Sequence, residues 1–405
     1  METTKKTWNK KRIGIIVAIV ACLCILAIEA IVVVGSNGDR KLNAQLELAD
    51  RYLDELDYEA AIAAYEAAIE IEPRCEAAYL GMAEAYKALG EYEKALETLE
   101  TGYDATGSER IQEALDELKA YLEEQNADHV MVWNDPNLEA AMREVTGITD
   151  RDIMLSDVKG INRLDLAEKG ISNIEALGEL KNLKDLYLSD NSISNVSSLS
   201  SLTKLQVLWL DGNDISDIGP LSDLKNLERL FLGYNNISDV SSLSGLVKLE
   251  RLDLIINNIS DISPLSGLTN LQDLTLLDNN VSDISPLAGL TKLVHLQVAG
   301  NNVSDLSPLG GLINLEHLDL GNNNISDISP LSELINLKSL WLSNNSISDV
   351  SPLSGLTNLE SLELQWNNIS DVSSLRGLTN LECLLLHDNN ISDYTPVSFV
   401  PELSK

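Results

Sequence analysis

Leucine and isoleucine recur at fixed intervals over more than half of this chain, in the frame L-x-x-L-x-L-x-x-N-x-(I/V). One copy is Leu183, Leu186, Leu188, Asn191 and Ile193. The asparagine then returns every 22 residues, as Asn213, Asn235, Asn257, Asn279, Asn301, Asn323, Asn345, Asn367 and Asn389. A fixed period of this length predicts a solenoid, and it outranks any local propensity.

The frame has a physical reason at each position. Alternation in L-x-L is the period of a short strand with one buried face. Stacked coils pair such strands in parallel and make the core continuous. Just past the strand the backbone turns out of the ladder. An asparagine amide has both donors and an acceptor, so one side chain can satisfy several turn groups. The asparagines should therefore form a buried, fully hydrogen-bonded column. The remainder of each copy, as in Ser260 to Leu268, is short and contains Pro and Gly. It predicts a tight or 3₁₀ turn on the convex side, with solvated Ser-Asp pairs such as Ser260-Asp261.

An eleventh coil precedes the others through Ile161, Leu164, Leu166 and Ile171, with Lys169 in the asparagine position. Terminal repeats are commonly atypical. Before it, Asp135 and Pro136 open a helical pattern through Leu138, Met142 and Val145. Residues 126–160 read as a helical cap, 161–394 as the solenoid and 395–405 as a C-terminal tail.

The cap entry Asp135 to Glu139 and the 22-residue units resemble the internalin-like leucine-rich repeat family over about 130–394. The resemblance implies an α/β solenoid with a parallel sheet on its concave face, which binds partners through variable positions. No immunoglobulin-like cap and no L-P-x-T-G signal follow Asn389, so covalent wall attachment is not expected.

Upstream, Tyr52, Tyr58, Ala61, Tyr65, Ala68 and Pro73 recur 34 residues later as Tyr86, Tyr92, Ala95, Leu99, Gly102 and Gly107. This resembles tetratricopeptide repeats, an all-α domain over 42–125. Gly102 and Gly107 depart from the pattern and predict a looser second unit. Ser108 caps a last helix with Ile111, Leu115, Leu118 and Leu122 on one face. The domain reads as an acidic spacer in preference to a peptide groove, because no charge clamp marks a groove. Residues 36–41 read as a linker.

At the start, Lys5, Lys6, Lys10, Lys11 and Arg12 precede an apolar run over 13–35. That run is long enough for one transmembrane helix. The positive-inside bias leaves 1–12 as a cytoplasmic basic tail and the repeats outside the cell. A cleaved signal peptide has a shorter apolar region. A lipoprotein at Cys22 would leave apolar residues stranded after the lipid.

Charge changes the picture in two ways. The net charge of −34 argues against nucleic acid, whose phosphates need Lys and Arg. It is also uneven, since residues 42–125 hold 22 acidic against 6 basic side chains. The four cysteines give no disulfide framework.

Function should lie in the x positions of each strand, which point away from the core. One column runs Asp165, Tyr187, Trp209, Phe231, Asp253, Thr275, Gln297, Asp319, Trp341, Glu363 and Leu385. Tyr187, Trp209 and Phe231 are consecutive and predict an aromatic strip. Tyr234, Ile255, Ile256 and Leu277 extend it, and Trp341 with Trp366 predicts a second patch. Exposed aromatic and apolar clusters mark binding surfaces. Asp253, Asp319 and Glu363 would add acidic rims that steer basic partners.

Asp273, His295 and His317 share another column, but two histidines at strand spacing more often serve an interface than a metal. There is no G-x-S-x-G, P-loop or H-E-x-x-H, and no cofactor is expected. The expectation is a membrane-anchored surface module that binds a protein, not an enzyme. A glycan-binding module or an envelope scaffold without a dedicated ligand are the alternatives.

Overall fold

The computed structural model describes residues 38–405, which divide into two compact units between Ala127 and Asp128. The expected basic tail 1–12 and membrane span 13–35 lie outside the described residues. Among those described, no helix is long and apolar enough to cross a membrane.

The first unit has five helices: α1 Gly38–Asp54, α2 Tyr58–Ile71, α3 Glu76–Ala88, α4 Tyr92–Thr106 and α5 Glu109–Asn126. Gly38 to Lys41 belong to α1, which corrects the linker read over 36–41. Good helix formers continue through Arg40, Lys41 and Leu42, so nothing stops the helix there. Ala61, Ala68 and Ala85 are fully buried where helices cross. Gly102 corrects the expectation of looseness. A Cβ there would fall 2.6 Å from the Tyr79 ring, so glycine lets the helices close. Gly107 ends α4 in the left-handed conformation (φ 67°), a usual helix stop.

The second unit is one twelve-stranded parallel sheet whose strands follow chain order, from β1 Arg163–Asp165 to β12 Glu402–Ser404. Opposite the strands run short 3₁₀ turns such as Ser263–Gly267. Asp261 is more than a solvated residue here. Its Oδ1 accepts the Ser263 N–H at 2.8 Å, and that bond holds the carboxyl below the usual carboxylate range. Leu249, Leu252, Leu254, Ile259, Ile262, Leu265 and Leu268 of that coil are all buried.

The asparagine column forms its hydrogen bonds throughout, but Asn191, Asn323, Asn345 and Asn389 are half-buried where the expectation was burial. Asn257 Nδ2 donates to the carbonyls of Leu232, Leu254 and Ile255 at 3.0, 3.2 and 3.3 Å, and its Oδ1 accepts the Ile237 N–H at 2.9 Å. Each amide thus ties its own turn to the preceding coil. The pattern holds from Asn191 to Asn389. A second column escaped the sequence reading. Asn182, Asn226, Asn270, Asn314, Asn336, Asn358 and Asn380 each donate to a carbonyl of the preceding coil, outside the core.

Each end of the repeat array carries additional structure. Asp135 caps the helix α6 Pro136–Thr146 through Oδ1, which accepts the Asn137 and Leu138 N–H groups. Its Oδ2 accepts the N–H groups of Ser172 and Asn173 at 2.8 and 3.0 Å, which joins the cap to the first coil. Burial raises the Asp135 pKa, but these bonds outweigh it and hold it at about 2. At the other end, residues 395–405 are not a tail. Glu402–Ser404 pair with Cys383–Leu385, and Val397 and Val400 are buried in the common core.

Candidate functional site

Strand register sets Tyr187, Trp209 and Phe231 side by side on the concave face. Ring centroids lie 5.8 Å apart for the first pair and 4.2 Å for the second, so the strip is continuous. Its exposure is uneven, which corrects the expectation for one member. Trp209 is 36% exposed, whereas Phe231 is only 7% exposed. Trp209 covers one side of that ring, and the Arg251 guanidinium lies 5.2 Å from its centroid. Arg163 covers Tyr187 similarly, at 4.7 Å. Phe231 is therefore the floor of the strip, and Trp209 is its exposed ring.

Three strands' worth of apolar side chains continue the surface. Ile255 and Leu277 are half-buried, while Tyr234 and Ile256 are exposed at 55% and 38%. Gly233 leaves room between them, since a Cβ there would meet Ile255 Cγ2 at 2.5 Å.

The position just before the column residue, Lys169 in the first coil and asparagine in the next ten, is left-handed in all eleven of these coils. It runs Glu168, Asp190, Gly212, Tyr234, Ile256, Asp278, Gly300, Asn322, Asn344, Trp366 and Asp388, with φ between 49° and 66°. Gly, Asn and Asp visit this region at small expense, while a bulky or β-branched residue there is an outlier. Ile256 has the lowest φ of the series, 49°. Tyr234, Ile256 and Trp366 thus violate the local rule and present their side chains to solvent. Backbone strain of this kind collects at functional sites. The sequence reading named these three residues for their exposure. Their strain was visible only as Gly, Asn and Asp at the same position in other coils.

The second patch is less unified than expected. Among the described residues no ring contact joins Trp341 to Trp366. Trp366, 53% exposed, meets His387 edge-on at 5.2 Å. Trp341 is half-buried, and its buried Nε1–H has no hydrogen-bond partner. It lines a cavity of about 240 Å³ with His295, Gln297, His317, Asp319 and Ser339. His295 and His317 stack at 4.7 Å, and His295 Nδ1 lies 2.5 Å from Asp273 Oδ1. Burial, then the neighbouring His295, lowers the His317 pKa. Among the described residues no group of three His, Cys, Asp or Glu side chains is arranged to hold a metal.

The acidic rims also need correction. Asp253 Oδ1 accepts the Ile255 N–H at 3.0 Å, and Asp319 Oδ1 accepts the Gly321 N–H at 3.1 Å. Glu363 Oε2 accepts from Gln365 Nε2 at 3.0 Å. Burial raises the pKa of both Asp253 and Asp319. These groups brace the strand ends, and a half-buried, braced carboxylate is a poor steering charge.

Comparison with known proteins agrees with this geometry. A family model described as leucine-rich repeats in two copies matches residues 181–223, 203–245, 225–267, 247–289, 291–333 and 335–377. A tetratricopeptide repeat model matches 52–118. Among proteins of curated function, none matches the chain. Among solved structures, an internalin from Listeria monocytogenes str. 4b F2365 is 32% identical, with a TM-score of 0.52. The match covers 67% of this chain and 94% of that one. The functional domain of InlJ from Listeria monocytogenes is 21% identical with a TM-score of 0.61, over 68% of this chain and 61% of that one. At that identity the likeness concerns the fold alone. A plant peptide hormone receptor, RGFR1, in complex with RGF2, is 26% identical with a TM-score of 0.52, over 56% of this chain and 40% of that one.

Proposed function

This chain belongs to the internalin-like leucine-rich repeat proteins, and on that premise we propose that it binds a protein partner through its concave face and is not an enzyme. The binding surface is centred on Trp209, Tyr234 and Ile256, with Tyr187, Phe231, Ile255 and Leu277 around them. The observation that carries this reading is the pair Tyr234 and Ile256, exposed and apolar in a left-handed backbone where neighbouring coils use Gly or Asp. Such strain persists when the exposed side chain has a use that Asn or Gly would not serve. The similar plant peptide hormone receptor is in complex with RGF2, which supports the same reading.

Membrane anchoring through 13–35, with the repeats outside the cell, belongs to the same proposal and rests on the sequence pattern of charges and apolar residues. The tetratricopeptide-like unit serves as an acidic spacer. Capture of a partner by the full chain, compared with Trp209→Ala, tests the binding surface. Equal capture by both overturns it. Protease treatment of intact cells tests sidedness, and protection of the repeats overturns the exterior assignment.

One observation favours a glycan as the second reading. The cavity beside Trp341 sets an indole near His, Gln, Asp and Ser side chains, the residue types that hold a sugar ring. A glycan ligand would lose affinity with Trp341→Ala and keep it with Trp209→Ala.

A further inference from the structure

Arg229 and Arg251 stand directly opposite each other on neighbouring strands, in register. Both are exposed. Glu228 and Glu250 precede them in the chain, yet among the described residues no ion pair within 4.0 Å involves either arginine. The next residue in their column, Asp273, is engaged by His295. Like charges directly opposed across two strands weaken a sheet. The net charge of −34 does not neutralise them, because charges beyond a Debye length of about 8 Å are screened at physiological salt. Arg251 covers Phe231 and feels the nearby Asp253 carboxylate, whereas Arg229 has no ion pair and no ring contact among the described residues, so an exposed Arg229 beside Arg251 calls for a reason outside the fold.

Their surroundings supply one. Tyr234 follows Arg229 by five residues in the same coil, and Ile256 follows Arg251 in the same way. Each of these two coils thus carries an exposed guanidinium with no ion pair within 4.0 Å at the start of its strand and a strained, exposed apolar side chain just past its end. Phe231, covered by Arg251, forms the floor between them. A ligand lying along the two coils would meet positive charge on one flank and apolar surface on the other.

We propose that Arg229 and Arg251 are the anion-recognition point of this surface, and that the partner offers it an acidic protein segment bearing apolar side chains. The inference rests on the concave face being a protein-binding surface. Guanidinium groups bind carboxylates through paired, charge-assisted hydrogen bonds. Tyr234 and Ile256 favour protein over anionic polysaccharide, since a sugar chain offers only the C–H faces of its rings, edged by hydroxyl and charged groups, to cover two adjacent apolar side chains. The partner's chemistry is then opposite to what the whole-chain charge would predict, because the local pair acts at contact distance, most carboxylates lie beyond screening range, and nearby Asp253 is half-buried and accepts the Ile255 N–H.

A fluorescently labelled random glutamate–tyrosine copolymer tests this against the full chain at about 0.15 M salt. Dextran sulfate serves as the anionic polysaccharide. The variants are Arg229→Gln, Arg251→Gln and Trp209→Ala, with unfolding curves checked for each. The copolymer should bind the unaltered chain, and dextran sulfate should not. Arg229→Gln and Arg251→Gln should each weaken binding by roughly tenfold or more, the worth of one charge-assisted pair. Arg229 touches no ring, so its variant reports on charge even if Arg251→Gln disturbs Phe231. Loss of binding in Trp209→Ala with full binding in both arginine variants leaves the aromatic surface standing and removes the arginine role. Equal binding by all variants overturns both. Failure of the copolymer to bind, or equal binding of dextran sulfate, overturns the acidic-segment assignment.

Discussion

Trp209 lies over Phe231 with ring centroids 4.2 Å apart, and the pair divides two tasks between two aromatic residues. Phe231 is buried by its neighbours, whereas Trp209 keeps one face in solvent. The two substitutions should therefore separate stability from binding. Phe231→Ala removes a covered ring and should lower unfolding free energy by about 2 kcal/mol, below the range for a fully enclosed core phenylalanine. Trp209→Ala should change stability by less than about 1 kcal/mol and remove most partner binding. Chemical denaturation beside a binding titration checks this. Equal stability losses would show that the two rings form one structural unit.

The left-handed column makes a prediction of opposite sign. Ile256→Asn and Tyr234→Asn place a residue suited to φ near 50° where a strained one stands. Backbone bonds are preserved, including Ile256 N–H to the Leu277 carbonyl at 2.8 Å. Each change should raise stability by about 1 kcal/mol and weaken binding. A stability loss on both substitutions would mean that these side chains contribute more by packing than they lose by strain.

Some of this was legible in the residues alone, and the rest depended on geometry. The inward leucines and the asparagine column could be read because each position admits one side-chain type for a physical reason. The aromatic strip could be read because register follows from a constant period. The burial of Phe231 could not, because it depends on how wide Trp209 lies and where Arg251 folds back. The last coil was invisible for another reason. Glu402 pairs with Cys383, so that coil is shorter than the 22-residue period and fails the frame. The role of Asp253 and Asp319 was misread because a concave carboxylate looks free until its backbone partner is seen.

The asparagine column should be steeply unforgiving at its centre. Asn257→Ala would strand the N–H of Ile237 in a buried turn and take one donor each from the carbonyls of Leu232, Leu254 and Ile255, which keep Asn235, Asn279 and the Tyr234 N–H. A loss of about 2–4 kcal/mol is expected, since one buried unsatisfied donor carries a penalty of about 1–3 kcal/mol and each further lost bond about 0.5–1.5 kcal/mol. The exposed Asn358, whose single bond reaches the Ile335 carbonyl, should lose less than about 1 kcal/mol on the same change. Urea unfolding of the two variants checks the contrast. Similar losses at both sites would show that coil stacking, not amide bonding, dominates.

Asp211 gives the solenoid a pH dependence whose sign can be worked out. Burial raises its pKa, the Gly233 N–H at 2.8 Å opposes that, and nearby Asp253 raises it again, to about 6. In the unfolded chain the value is near 3.9. The native state therefore holds the proton more tightly, and this residue favours folding most below pH about 4. That contribution is lost as pH rises toward 6, and above 6 the ionised carboxylate weakens the fold. Asp211→Asn keeps an oxygen for the Gly233 N–H and removes the charge. It should raise stability by about 1 kcal/mol at pH 7.5, a value reduced from the full shift because the group is partly solvated and screened. The gain should vanish near pH 4, where both side chains are neutral. Thermal unfolding of both chains at the two pH values decides the matter. An equal gain at each would trace the effect to shape instead of ionisation.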